Sequence, residues 1–235
     1  MPVPSHSLIA KHREVQNAAK AVLQQLGASI TPHDSERSIA EKAHALLRAQ
    51  GYPDTWYYDC PAFVLLGTRS CMSVSGRSYV PSDEVVGLTN LVTVDLSPSR
   101  DGIWGDRARS VFIENGVATE PTSTEFTVGK RFLADLHGEM RRYVHPDLAF
   151  HDLYEWTNTH IEKAGFENLD FLGNVGHSIA TRREDRQYIE QSNMKKLAEV
   201  PFFTFEPHVR VAGGKWGFKH ENIFYFDDQG QLQEL

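Results

Sequence analysis

Cysteine is nearly missing from this chain: Cys60 and Cys71 are its only two, they lack the spacing of a metal finger, and a pair in 235 residues builds no disulfide scaffold. Both are read as reduced thiols. Positive charge is also scarce, with 24 Lys and Arg against 31 Asp and Glu for a formal net charge of −7, and the basic residues are scattered. That argues against a nucleic-acid or acidic-membrane partner, since neither would be attracted over distance. Nowhere do 18 apolar residues follow one another, and the opening MPVPSHSLIAKHREVQ has no continuous apolar stretch. Neither a membrane span nor a secretory leader is therefore expected, and the predicted location is cytoplasmic. No HExxH occurs, which argues against a single-zinc protease.

What the chain does have is a length and a 40% hydrophobic content sufficient for one sizeable core, so residues 1–235 are expected to form a single domain. Leu8, Ile9, Val15, Ala18, Ala19, Val22, Leu23 and Leu26 recur at helical spacing and predict a helix over 8–26, stopped by Gly27. A second helix is predicted behind Pro32, with Asp34 or Ser35 as N-cap, Glu36 and Glu41 on its early turns, and Gly51 at its end. Strands are predicted at 62–66, 91–96 and 110–114, with an irregular polar stretch over 67–83. A third helix is expected from Ser123 or Thr127 to Arg142, followed by a further helical run. Segment 30–52, ITPHDSERSIAEKAHALLRAQGY, aligns with segment 144–166, VHPDLAFHDLYEWTNTHIEKAGF, at an offset of 114, sharing Pro32/Pro146, Glu41/Glu155 and Gly51/Gly165. Two capped amphipathic helices can look alike without duplication. A repeat at half-chain offset nevertheless suggests two αβ halves, roughly 28–116 and 123–235, related by a pseudo-twofold axis with the functional centre between them.

Hairpin arithmetic then singles out four acids. Opposed residues in an antiparallel hairpin have a constant sum of numbers, so Asp95 would face Asp106 about a turn centred on Arg100-Asp101. Glu206 would face Glu221 about Gly213-Gly214. Isolated acids commonly sit on solvated strand faces. Asp95, however, lies in the apolar run LVTVDLSP and Glu206 in the aromatic run VPFFTFEP, where opposed carboxylates would repel and carry a desolvation penalty without cations. His177, in GNVGHSIA, has small neighbours that leave room for a ligand. Four carboxylates and one imidazole form a hard donor set suited to a pair of Mn, Fe(II), Co or Zn ions.

These residues resemble the pita-bread metallopeptidases, the family of methionine aminopeptidase, Xaa-Pro aminopeptidase and prolidase. LVTVDLSPSRDGIWGDRARSVFIENG is similar to the family's hydrophobic-D, turn, DGxxxDxxRT strand pair. GHSIA resembles its GHGIG, FFTFEPHV its T-hydrophobic-EP, and FKHENIFYFDDQG its terminal R-x-E-[DN] strand. The resemblance covers nearly the whole chain and implies an α+β fold, a duplicated αβ unit around a central antiparallel sheet. It also implies two divalent ions: Asp95 on one, Asp106 and Glu221 bridging both, His177 and Glu206 completing the second, with Glu206 relaying a proton to the leaving nitrogen. The size resembles the methionine aminopeptidase type. Two family histidines are replaced, one by Ser75 ahead of the first Asp and one by Glu184 seven residues after His177. Candidate substitutes on the substrate side are Arg77, the Arg182-Arg183 pair, His208 and His220, with Trp56, Tyr57 and Tyr58 as candidate walls.

The expected function is thus a dinuclear metal-dependent hydrolase cleaving an amide, peptide or related C–N bond of a small molecule or short peptide, aminopeptidase-like but specialised for a non-standard substrate. Two other readings stay open: a non-enzymatic pita-bread module that binds peptide or protein, and a metal-free creatinase-like hydrolase with His177 as base. Homodimers are common among such relatives, although no stretch of this chain marks an interface.

Overall fold

The structure is a computed structural model that describes residues 3–235, so the first two residues of the opening segment lie outside it. Helix α1 (His6–Ser29) is capped by Ser5, whose side chain accepts from the Leu8 N–H, and buries Val15, Ala18, Ala19, Val22, Leu23 and Leu26. It starts earlier than expected and runs through Gly27. The stop lies at Ile30, in extended backbone, because Thr31 precedes Pro32 and is barred from helical geometry. Asp34 then secures the exit, accepting from the Thr31 N–H and hydroxyl, the Ser38 hydroxyl and the Lys42 ammonium.

Ser35 is the N-cap of α2 (Glu36–Ala49), in a reciprocal capping pair with Ser38. Glu36 stands on the first turn as expected and is fully buried. It accepts from the Leu66 and Ser82 N–H groups and the Arg69 guanidinium, tying the helix to the strand it covers. The strands of the first half follow: β1 (Asp54–Thr55), β2 (Ala62–Leu66), β3 (Asn90–Leu96), β4 (Pro98–Arg100), β5 (Ile103–Trp104), β6 (Arg107–Glu114) and β7 (Val117–Ala118). A 3-10 turn, Gly67–Cys71, opens the stretch read as irregular.

The second half opens with α3 (Thr124–Tyr143) and α4 (Phe150–Lys163). Helices α2 and α4 are both 14 residues long and coincide at both ends at the offset of 114; α1 and α3 coincide at their last residues, Ser29 and Tyr143. The glycines beyond α2 and α4, Gly51 and Gly165, both take the left-handed conformation, with φ of 87° and 77°. Strands β8 (Phe166–Asn168), β9 (Phe203–Phe205), β10 (His208–Val211), β11 (Phe218–Lys219), β12 (Asn222–Phe226) and β13 (Leu232–Glu234) complete the chain. All ladders are antiparallel, in the orders β2-β3-β6-β7, β1-β4-β5, β11-β10-β8 and β13-β12-β9.

Two main cores result, the second of which also takes in Leu91 and Phe112 from β3 and β6. Leu26, Ile39, Leu47, Val64, Val92 and Val94 centre the first, and Phe150, Leu153, Phe203, Phe205, Phe218 and Phe224 the second. The seam between them is stitched by Arg109, whose guanidinium donates to the Glu221 carbonyl and to Asn222 Oδ1. The architecture is the duplicated α+β pita-bread arrangement. No helix among the described residues is long and apolar enough to cross a membrane.

Candidate metal centre

Asp95 sits near the end of β3, opposite Ala108 rather than Asp106. The expected register is therefore two residues out. The tight turn is Asp101-Gly102, one residue beyond the predicted centre, with φ of 54° and 74°, the consecutive left-handed pair a two-residue hairpin favours. A shift of two preserves the face on which each side chain lies. Asp106 falls where the β3–β6 ladder has ended, and Gln16 of α1 clamps its backbone there, accepting from its N–H at 3.0 Å and donating to its carbonyl at 2.8 Å.

The other pair keeps the expected register. His208 opposite Lys219 and Asn222 opposite Phe205 both preserve the sum set by the Gly213-Gly214 turn, which places Glu206 across from Glu221. His177 enters from the chain preceding β9. Its N–H donates to Thr204 Oγ1 at 2.9 Å and its carbonyl accepts from the Thr204 N–H at 2.7 Å. The small neighbour Gly176 allows this approach, since a Cβ there would lie 2.3 Å from the Thr204 carbonyl oxygen, and it also lines the cavity beside the site.

All five side chains converge. One donor atom each from Asp106, His177 and Glu221, and one each from Asp95, Glu206 and Glu221, form two sets whose atoms lie within 4.8 Å of one another. The His177 Nδ1–H donates to the Ser178 carbonyl at 2.9 Å, which leaves the Nε2 lone pair facing Asp106 Oδ2 at 3.4 Å and Glu206 Oε1 at 3.6 Å. Asp106 Oδ2 and both carboxylate oxygens of Glu221 are buried without a hydrogen-bond partner. A cluster of orphaned oxygens facing an imidazole lone pair is unfavourable as it stands and has the donor chemistry to hold a divalent cation. Burial pushes the Asp106 carboxyl up to about 6, and burial plus the charges of Asp106, Glu206 and Asp95 lift Glu221 well above the ordinary range. Burial acts on Glu206 in the same direction, but Lys219 and His177 reverse it and hold that carboxyl low.

Lys219 was not among the sequence candidates. Its ammonium lies 2.5 Å from Asp95 Oδ2 and 3.3 Å from Glu206 Oε2, inside the oxygen cluster. Burial would lower its pKa, but the charges of Asp95, Glu206 and Glu221 raise it well above the usual lysine value. The hairpin arithmetic could have found it, because a residue two before Glu221 shares that acid's face of the strand.

A cavity of about 410 Å³ opens onto Asp95, Asp106, His177, Glu206 and Lys219, while Glu221 is fully buried. Ser75, His208, Trp56, Tyr57 and Tyr58 line it. His208 Nε2 donates to the Ser70 carbonyl at 2.6 Å, and burial lowers its pKa to about 4, so the ring is neutral. The other substrate-side candidates do not line the cavity. Arg182 and Glu184 pair with each other in the exposed 3-10 turn region, Arg77 and Arg183 stack on the Tyr58 ring, and His220 packs on His137 with ring centroids 4.2 Å apart. Sequence reasoning missed Arg186, which does line the cavity. Its guanidinium lies over the rings of Trp56, Tyr57 and Tyr188 and makes no ion pair among the described residues.

Residues 10–228 match the family model of metallopeptidase family M24, and the chain belongs to that family. No curated protein sequence matches it. Solved structures share the fold. An X-Pro aminopeptidase from Thermotoga maritima superposes with a TM-score of 0.81 at 20% identity, over 99% of this chain and 61% of that one. A prolidase from Pyrococcus furiosus gives 0.79 at 17% identity, covering 99% and 64%. Aminopeptidase P of Escherichia coli gives 0.77 at 14%, covering 99% and 56%. The chain thus spans less than two thirds of the length of each.

Proposed function

We propose that this protein is a divalent-metal-dependent hydrolase of the aminopeptidase or dipeptidase kind, cleaving an amide or peptide bond of a small substrate. The observation that carries the reading is the set of buried, unpartnered oxygens of Asp106 and Glu221 beside the Nε2 lone pair of His177. Asp95, Asp106, His177, Glu206 and Glu221 are the residues that would hold the metal, expected as Mn, Fe, Co or Zn. A divalent cation supplies Lewis acidity toward a substrate carbonyl and brings the pKa of water toward neutrality. The Ser178 carbonyl holds the His177 ring in the tautomer that offers Nε2, and Thr204 fixes the His177 backbone. Glu206 faces the cavity whereas Glu221 does not, which supports Glu206 as the carboxylate that would accept a proton from water and pass it to a leaving nitrogen.

The cavity wall supports a specialised substrate. Ser75 lines the cavity where an imidazole was expected, Glu184 pairs with Arg182 on the exposed surface, and the guanidinium of Arg186, in no ion pair among the described residues, occupies the wall instead. A cation flanked by aromatic rings suits an anionic or strongly polarised group next to an apolar one.

The test is metal analysis after dialysis against Mn, Co, Fe and Zn, together with turnover on Met-, Xaa-Pro- and small-amide substrates. Wild type is expected to retain metal and turn over at least one substrate, and Asp106→Asn to lose both. A wild type that holds no metal and is indifferent to Asp106→Asn removes the proposal, and tight metal-free peptide binding would favour the binding module.

A further inference from the structure

The two donor sets are not equivalent. Among the described residues no lysine or arginine pairs with the carboxylate of Asp106 or Glu221, and three of their oxygens have no hydrogen-bond partner. Around Asp95 and Glu206 a cation is already in place, the Lys219 ammonium, 2.5 Å from one carboxylate and 3.3 Å from the other. The lysine is built into that position. Its backbone N–H donates to Ser110 Oγ at 2.9 Å, its carbonyl accepts from the same hydroxyl at 3.3 Å, and β11 pairs it with His208.

A divalent ion seated between Asp95 and Glu206 would compete with the ammonium for the same oxygens and repel it across a few ångströms of poorly solvated space. A lysine also differs in kind from the arginine of the family pattern. The guanidinium is a planar fork that lies along the edge of one carboxylate, whereas an ammonium is a compact charge with three diverging donors that fits among oxygens much as an ion does.

Resting on the metal-dependent reading above, we propose that the centre is mononuclear: Asp106, His177 and Glu221, with Glu206 beside them, take one divalent cation, and Lys219 permanently fills the second position between Asp95 and Glu206. This revises the expected pair of ions to one ion and one ammonium.

The test is a count of tightly bound Mn(II) per chain, by titration and elemental analysis after gel filtration, with electron paramagnetic resonance to separate an isolated Mn(II) from a spin-coupled pair. Wild type is expected to hold one ion with an uncoupled signal, any second ion binding at least about 100-fold more weakly. Lys219→Met, which keeps the length and removes the charge, is expected to bind two and show coupling. Circular dichroism checks its fold, and Lys219→Gln replaces it if it does not fold. Two tight, coupled ions in wild type would overturn the inference while leaving the hydrolase reading intact, as would a count of one in a folded neutral variant. No metal at all in wild type would instead overturn the hydrolase reading.

Discussion

Thr204→Val isolates what holds the imidazole in place. The Thr204 hydroxyl is fully buried, accepts from the His177 N–H at 2.9 Å, and lies 3.3 Å from Glu206 Oε1. Valine has nearly the same shape, so no cavity opens, but the buried His177 N–H loses its acceptor. Leaving such a donor unpaired costs about 1–3 kcal/mol, read as a fall in the urea midpoint at unchanged slope. The same hydroxyl sets where His177 and Glu206 point, and loss of an orienting group of this kind weakens metal binding about 10–100-fold. Thr204→Ser is the control, because it keeps the hydroxyl and gives up only a buried methyl, at about 1 kcal/mol. Stability is measured by urea unfolding of the metal-free protein and affinity by Mn(II) titration. The reasoning is refuted if Thr204→Val retains wild-type stability and affinity, or if serine and valine weaken metal binding equally.

Gly217→Ala should be among the most damaging single-methyl additions, since its Cβ would lie 2.0 Å from the Ser70 carbonyl oxygen and 2.9 Å from the Cys71 nitrogen, backbone atoms that cannot swing aside. The expected loss is about 3 kcal/mol or more, and a variant with a wild-type urea midpoint would contradict the packing described. His137 makes stability depend on acid. Burial lowers its pKa to about 3 in the folded chain, against about 6.5 unfolded. Above pH about 6.5 the ring is neutral in both states and contributes no pH dependence; below it the unfolded chain binds the proton first, and stability falls by about 1.4 kcal/mol per pH unit down to pH about 3. His137→Phe lacks this titration, so the stability difference between wild type and variant should change by that slope between pH 6.5 and 5, and a constant difference would refute the assignment.

The duplication was legible because its marks are local. Ser35 and Gly51 bracket α2, and Gly165 ends the α4 that matches it residue for residue. The Glu206–Glu221 register was legible because the glycine pair marks where the chain reverses, although the hydrogen-bonded turn closes from Val211 to Gly214, one residue earlier than a turn centred on the pair. The Asp95–Asp106 register was not, because three successive positions, Arg100, Asp101 and Gly102, could each have formed part of the turn, and the left-handed pair proved to be the last two. Gly27 misled because a glycine stops a helix only where the chain has a reason to leave, and the restriction imposed by Pro32 comes later. Lys219 was overlooked because a lysine in an alternating strand reads as solvent-facing, and Arg186 because it lies in irregular backbone without a spacing rule. Arg182 and Glu184 were legible as charges but not as partners of each other, two residues apart.

The seam between the two cores sets an order of events. Asp95 and Asp106 belong to the first half, and His177, Glu206, Lys219 and Glu221 to the second, so neither half carries a complete donor set and even the Lys219–Asp95 contact crosses the join. On a ribosome the first half emerges with two acids and no imidazole to complete them. The centre therefore comes into being only when β11 and β12, late in the chain, dock beside β6. A chain truncated before Lys219 would be without the centre however well its first core had packed.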